Sequence, residues 1–242
     1  MIAAVVFDWG GTLSEFADVE MIDMWRLAAR HLAPSREEEM VERLIAVEEA
    51  SWREVRDHQT STTLSALLAT ASRELGLDVA EAVLEEAATH HLDSWTPHIV
   101  HDPDAVPVLT ALRAAGHKIG LLSNTHWPRA FHEHFLERDG LDTLIDVRCY
   151  TSEMARTKPH ADAFRTVLDQ LGVADPRTVV FVGDRLHDDI WGAQQLGMKA
   201  VLRPNRFVPT YDVEPDAVID RLPELVDIVA SWASGASEAT WN

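Results

Sequence analysis

Ile2-Ala3-Ala4-Val5-Val6-Phe7-Asp8-Trp9-Gly10-Gly11-Thr12-Leu13 is an apolar run that stops at a carboxylate, followed by two glycines and a threonine. A continuous apolar stretch of this length, bounded by turn residues, reads as a strand buried on both faces, the kind found inside parallel sheets. It lacks a basic leader, so it is read as a strand and not as a signal peptide. Beyond about residue 98 the pattern recurs at 118–123, 146–150, 178–182 and 199–203, and residues 3–7 join these as a fifth strand. Amphipathic stretches separate them. One is 162–171, where Ala163, Phe164, Val167, Leu168 and Leu171 share a stripe. Another begins at Asp102, a helix cap followed by Pro103, and ends near Gly116. Strands alternating with helices predict an α/β fold, a Rossmann-like parallel sheet with helices on both faces. Ligands of such sheets bind beyond the carboxyl ends of the strands.

Residues 15–96 carry no strand pattern. Four helices are predicted, near 19–33, 36–57, 62–76 and 79–94. Ser35 with Glu38 has the form of a capping box, and Asp78 with Glu81 is a similar acidic start. Glu37-Glu38-Glu39 reads as a solvated first turn favoured by the helix dipole. The chain thus divides into a core, residues 1–14 and 97–242, and an inserted all-helical domain, 15–96. The small, polar tail from Ser234 to Asn242 is expected to fray.

With 242 residues, 46% of them hydrophobic, the chain can bury a substantial core and a smaller attached unit. A formal charge of −19 argues against nucleic acid as partner, since that binding rests on lysine and arginine neutralising phosphates. Any anionic substrate must be attracted locally, by a metal ion or a few cations. Cys149 is the single cysteine, which excludes an intramolecular disulfide. No apolar run approaches a membrane span, so no membrane role is read and a cytoplasmic location is the expectation. Oligomeric state has no signature.

Of the twelve histidines none shows a zinc spacing, and they read as surface or hinge residues, with His126 beside a motif the one to watch. Trp9 reads as packing, and Trp25, Trp52 and Trp95 as core or hinge residues of the helical insertion.

Three further segments fall at or after strand-like stretches: Ser123-Asn124, Lys158-Pro159, and Gly183-Asp184 followed by Asp188-Asp189. With Asp8 they would gather carboxylates, a hydroxyl, an amide and one ammonium at one sheet edge, a set suited to phosphoryl transfer. Lys118, Lys158 and Lys199 are the only lysines.

In order and spacing these four motifs resemble those of the haloacid dehalogenase superfamily, over about residues 2–203, and the helical insertion is similar to that family's first class of cap. The resemblance implies Asp8 as nucleophile. It also implies magnesium held by Asp8, the Gly10 carbonyl, Asp184 and a final acid, Asp189 in preference to Asp188, which reads as a helix cap. Lys158 and Ser123 would join Asp8 in catalysis. Gly11, Thr12, Ser123, Asn124 and Lys158 would bind the substrate, a small phosphorylated metabolite hydrolysed through an aspartyl-phosphate. Most phosphatases of the family carry a second aspartate where this chain has Gly10. The alternatives are a 2-haloacid dehalogenase-type or phosphonatase-type hydrolase, or a protein that binds a phosphorylated ligand with little turnover. The phosphonatase reading needs a lysine in the insertion, and residues 14–100 have none. Glu15, Asp18 and His58 are candidates to replace the missing acid.

Overall fold

A computed structural model describes residues 1–234 of the chain, so the expectation for the tail lies almost wholly outside the described residues. Six strands form one sheet: β1 (Ala4–Phe7), β2 (Lys118–Ser123), β3 (Val147–Tyr150), β4 (Val179–Gly183), β5 (Lys199–Leu202) and β6 (Ala217–Val218), in the order β3-β2-β1-β4-β5-β6. Every pairing is parallel. Five strands match the sequence expectation to within a residue. β6 was not anticipated, because two residues leave no periodic signal.

Successive side chains point to opposite faces of a strand, and the sheet has two cores as a result. Val5, Phe7, Ile119, Leu121, Val180 and Val182 pack on one side with residues of helices α5 (Ala105–Ala114), α6 (Arg129–Arg138) and α9 (Glu224–Ser234). Ala4, Val6, Leu122, Val179 and Phe181 pack on the other with α7 (Ala161–Leu171) and the short α8 (Gly192–Gln194). All five apolar residues of the 162–171 stripe are buried, as the pattern predicted.

Between β1 and α5 the chain runs through α1 (Met21–Leu32), α2 (Glu37–His58), α3 (Leu64–Glu74) and α4 (Glu81–Trp95). These four helices enclose a core of their own built on Trp25, Met40, Leu44, Leu67, Leu68 and Ala87. The chain enters and leaves them side by side: Glu15 N–H donates to Val100 O at 2.8 Å and Asp102 N–H to Leu13 O at 2.9 Å. A second tie lies at the α2–α3 connection, where Leu64 N–H donates to His126 O and Thr157 N–H to Gln59 O.

The capping expectations need correction. Neither Ser35 nor Asp78 caps a helix: α2 starts after Arg36 and α4 after Ala80, both without a side-chain cap, and Arg36 instead pairs with Glu39. Asp102 accepts from Asp104 N–H one turn ahead of α5, so it caps the turn that leads into the helix and not the helix proper. Asp188 is no helix cap either; it lies within a π-helical turn, Leu186–Trp191, against His187.

Candidate active site

Strand order reverses at β1, whose neighbours β2 and β4 lead to opposite halves of the sheet, and such a switch point opens a crevice at the carboxyl ends. The register places the chemistry there. Phe7 pairs with Leu121 and with Val182, so Asp8 follows β1 at the level where β2 ends in Ser123 and β4 runs out into Asp184. Asp8 N–H donates to Val182 O at 2.8 Å, which holds the loop close to β4.

Asp8, Asp184 and Asp189 are buried, and each offers a carboxylate oxygen within 4.8 Å of the others. One ammonium joins them. Lys158 Nζ donates to Asp8 Oδ1 at 2.6 Å and to Asp189 Oδ1 at 2.7 Å, with only 1% of the lysine exposed. Burial alone would strip its proton, but Asp189 and Asp8 outweigh burial and raise its pKa, so it stays charged. Asp184 is pushed up to about 7, by burial first and then by Asp8 and Asp189. Asp189 rises to about 6, because burial and Asp8 outweigh the opposing pull of Lys158.

Three buried carboxylates face one ammonium, with Arg185 acting on them from the cavity wall, and this leaves an electrostatic deficit, since the cost of burying a charge is offset only by a partner. Asp184 Oδ2 accepts from Asn205 Nδ2 at 2.7 Å, while its Oδ1 is buried and has no hydrogen-bond partner among the described residues. A hard divalent cation with oxygen ligands fits this donor set. Asp189 is different: Oδ1 is held by Lys158 and Oδ2 by Arg185 N–H, so both oxygens are engaged.

The glycines differ in why they are there. A Cβ at Gly11, whose φ is +80°, would overlap the Asp184 carboxylate, and one at Gly183 would overlap Asp189. Gly10 is exposed and nothing lies within 4 Å of where its Cβ would stand, so the backbone there admits a side chain. Thr12 is fully buried and its hydroxyl has no partner. Ser123 is buried against the crevice. The Asn124 side chain clamps the Lys158 main chain, accepting from its N–H at 2.9 Å and donating to its carbonyl at 3.0 Å.

Trp9 is packed and also fixed. Its indole N–H donates to His101 Nε2 at 3.0 Å; an indole only donates, so that nitrogen accepts and Nδ1–H faces Asp139 Oδ2 at 2.6 Å. His101, Asp139 and Arg138 therefore orient the loop that carries Asp8.

Above the crevice lies a cavity of about 290 Å³. Its core wall includes Asp8, Ser123, Asn124, Lys158 and Arg185, and its helical wall includes Met21, Glu48, Trp52 and Trp95. Trp25 is core, as expected, but Trp52 and Trp95 line the cavity. His91, His101, His126 and His132 are buried, which corrects the reading of the histidines as surface or hinge groups. His126 is held down to about 4 by burial. Of the candidate replacement acids, Glu15 reaches the cavity but is exposed, while Asp18 and His58 are exposed and do not line it. Sequence reasoning missed Glu48 and Arg185. Glu48 had a signal: it interrupts the apolar stripe Val41, Leu44, Trp52, Val55 of α2 at helical spacing.

A model of the haloacid dehalogenase-like hydrolases matches residues 2–197, and the chain belongs to that family. It is a hydrolase by that membership. A glyceraldehyde 3-phosphate phosphatase of Methanopyrus kandleri is 31% identical over 166 residues, which cover 66% of this chain and 70% of the relative. A second such phosphatase, of Methanocaldococcus jannaschii, is spanned over 55% of its length. The solved 2-haloacid dehalogenase of Pseudomonas syringae pv. Tomato DC3000 is similar in fold, with a TM-score of 0.72 and 26% identity over 96% of this chain and 100% of that one.

Proposed function

We propose that the chain is a magnesium-dependent phosphohydrolase of a small phosphorylated metabolite, working through an aspartyl-phosphate on Asp8. The observation that carries this reading is the Asp8–Lys158–Asp189 chain beside Asp184, whose free Oδ1 completes a site for a hard cation. Asp8, Asp184 and the Gly10 carbonyl would hold the ion, with Asp189 adding charge and gripping Lys158. When bound, magnesium supplies positive charge against the phosphate oxygens.

Asp8 attacks phosphorus and the ester oxygen leaves; water then cleaves the acyl phosphate and frees Asp8. Lys158, fixed by two carboxylates and by Asn124, stabilises charge on the transferring group without reorganising. Ser123, at the end of β2, is placed to donate to the same oxygens. The insertion 15–96 acts as a cap, and its wall of the cavity selects the substrate and limits water. The phosphatases among the relatives support the substrate class.

Carbon–halogen hydrolysis is the second reading, favoured by Gly10 and by the dehalogenase neighbour. Phosphate release from a panel of metabolite esters, with and without magnesium, separates the two. Asp8→Asn should lower turnover below about one part in a thousand while the fold persists. Undiminished activity after chelation would overturn the phosphatase reading.

A further inference from the structure

The two walls of the cavity differ in chemistry. Its core wall carries Asp8 with the cations Lys158 and Arg185, where a phosphate would sit. The insertion contributes two carboxyls, the exposed Glu15 at its start and the half-buried Glu48 of α2, and no lysine or arginine. Trp25 Nε1–H donates to Glu48 Oε2 at 2.8 Å. Among the described residues no lysine or arginine stands beside Glu48, and the charged group that acts on it is another acid, Glu49. The rest of that wall is apolar or aromatic: Met21, Trp52 and Trp95. Trp127 extends it from the core, packed 5.1 Å from Trp95 between ring centroids.

We propose that Glu48 is a specificity residue that receives a cationic group on the substrate, so that the preferred substrate is a phosphate ester of an amino alcohol. This rests on the phosphohydrolase reading and deepens it. A half-buried carboxyl among indoles gains most from a cation that arrives with the ligand, because its own fold gives it none. Tryptophan walls suit an ammonium, which their ring faces attract. An ammonium near the ester oxygen also withdraws electrons from it, which eases departure of the alkoxide at a site with no acid at position 10.

Two measurements on the full chain test this. The first compares kcat/KM for phosphorylcholine with that for its neutral isostere, 3,3-dimethylbutyl phosphate, in the natural protein and in Glu48→Gln. Gln keeps an acceptor for Trp25, and the inductive advantage of the ammonium is common to both proteins, so the change in the ratio isolates recognition. The ratio should fall at least about tenfold in the variant, mainly through KM. The second titrates choline alone and reads tryptophan fluorescence. Saturable quenching should weaken at least about fivefold in Glu48→Gln and in Trp52→Leu. A ratio unchanged within about twofold overturns the proposal. So does an equal loss of kcat on both esters, which would make Glu48 a proton donor. Should neither ester turn over while other esters of the metabolite panel do, the proposal is overturned; should no ester of the panel turn over with magnesium present, the phosphohydrolase reading fails on its own, and the choline titration decides whether Glu48 binds a cation.

Discussion

On the proposed mechanism, Gly10 decides how hard the leaving group is to expel. A carboxyl at this position would protonate the departing oxygen, a service worth about 10²–10⁴-fold. Without it, rates across a series of phosphate esters should fall steeply as leaving-group basicity rises, provided chemistry is rate-limiting. Space around Gly10 makes the converse experiment feasible, since a Cβ there meets nothing within 4 Å. Gly10→Asp should flatten the dependence, most on alkyl esters. A flat series in the natural protein would reveal another acid in the cavity. Lys158, beyond its proposed role in catalysis, bears on stability. Lys158→Met leaves Asp8 and Asp189 buried without their shared cation, and breaking such a pair costs about 3–5 kcal/mol. The variant should melt lower by chemical denaturation, and added magnesium should recover part of the loss.

At the scale of elements, the connection between α2 and α3 ties the helical insertion to the loop preceding Lys158. Thr157 N–H donates to Gln59 O at 3.1 Å. Gln59 ends α2 in the left-handed region, with φ of 54°, the position where helices favour glycine. A non-glycine residue there carries a cost of about 1 kcal/mol, so Gln59→Gly should raise stability by up to that amount. Thermal unfolding checks it; a lower Tm would mean that the Gln59 side chain contributes more than its backbone costs. Sequence reasoning located α2 but not its cap chemistry. Of the residues that looked like a capping box, Glu38 pairs instead with Arg26 of α1, a contact between helices that a capping template does not weigh.

For the whole molecule, pH is the informative variable. His91, His126 and His132 are held to about 3, 4 and 3 by burial, far below the ordinary imidazole value of 6.5. Each folded pKa lies below its unfolded value, so the stability these groups contribute is complete above pH 6.5 and is lost as pH falls toward 4. One unit below the unfolded value corresponds to about 1.4 kcal/mol for each. Asp184 and Asp189 act in the opposite sense: raised to about 7 and 6, they favour the folded form as they take up protons. Three imidazoles against two carboxyls leave a net loss of stability below pH 5.5. His132→Phe should make that fall shallower, as read by Tm at pH 7.5, 5.5 and 4.5. An identical slope in the variant would show that His132 is not buried neutral.

Local chemistry sufficed for much of this protein. The apolar run of β1, the glycines after Asp8 and the alternation beyond residue 98 determined a parallel α/β sheet, because strand and helix periods are properties of short windows. That Asp8, Ser123, Lys158 and Asp184 would meet at one sheet edge was legible for the same reason: each sits at or just after a strand or in a loop of recognisable form. The tertiary structure alone decided which groups pair. That Asn124 clamps the Lys158 backbone, that Lys158 reaches Asp189, and that Trp9 is held through His101 and Asp139 are contacts across 34, 31, 92 and 38 positions of sequence. The burial of the histidines belongs here too. An imidazole is compatible with surface and core alike, and only the packing of the helices over the sheet determines which it meets.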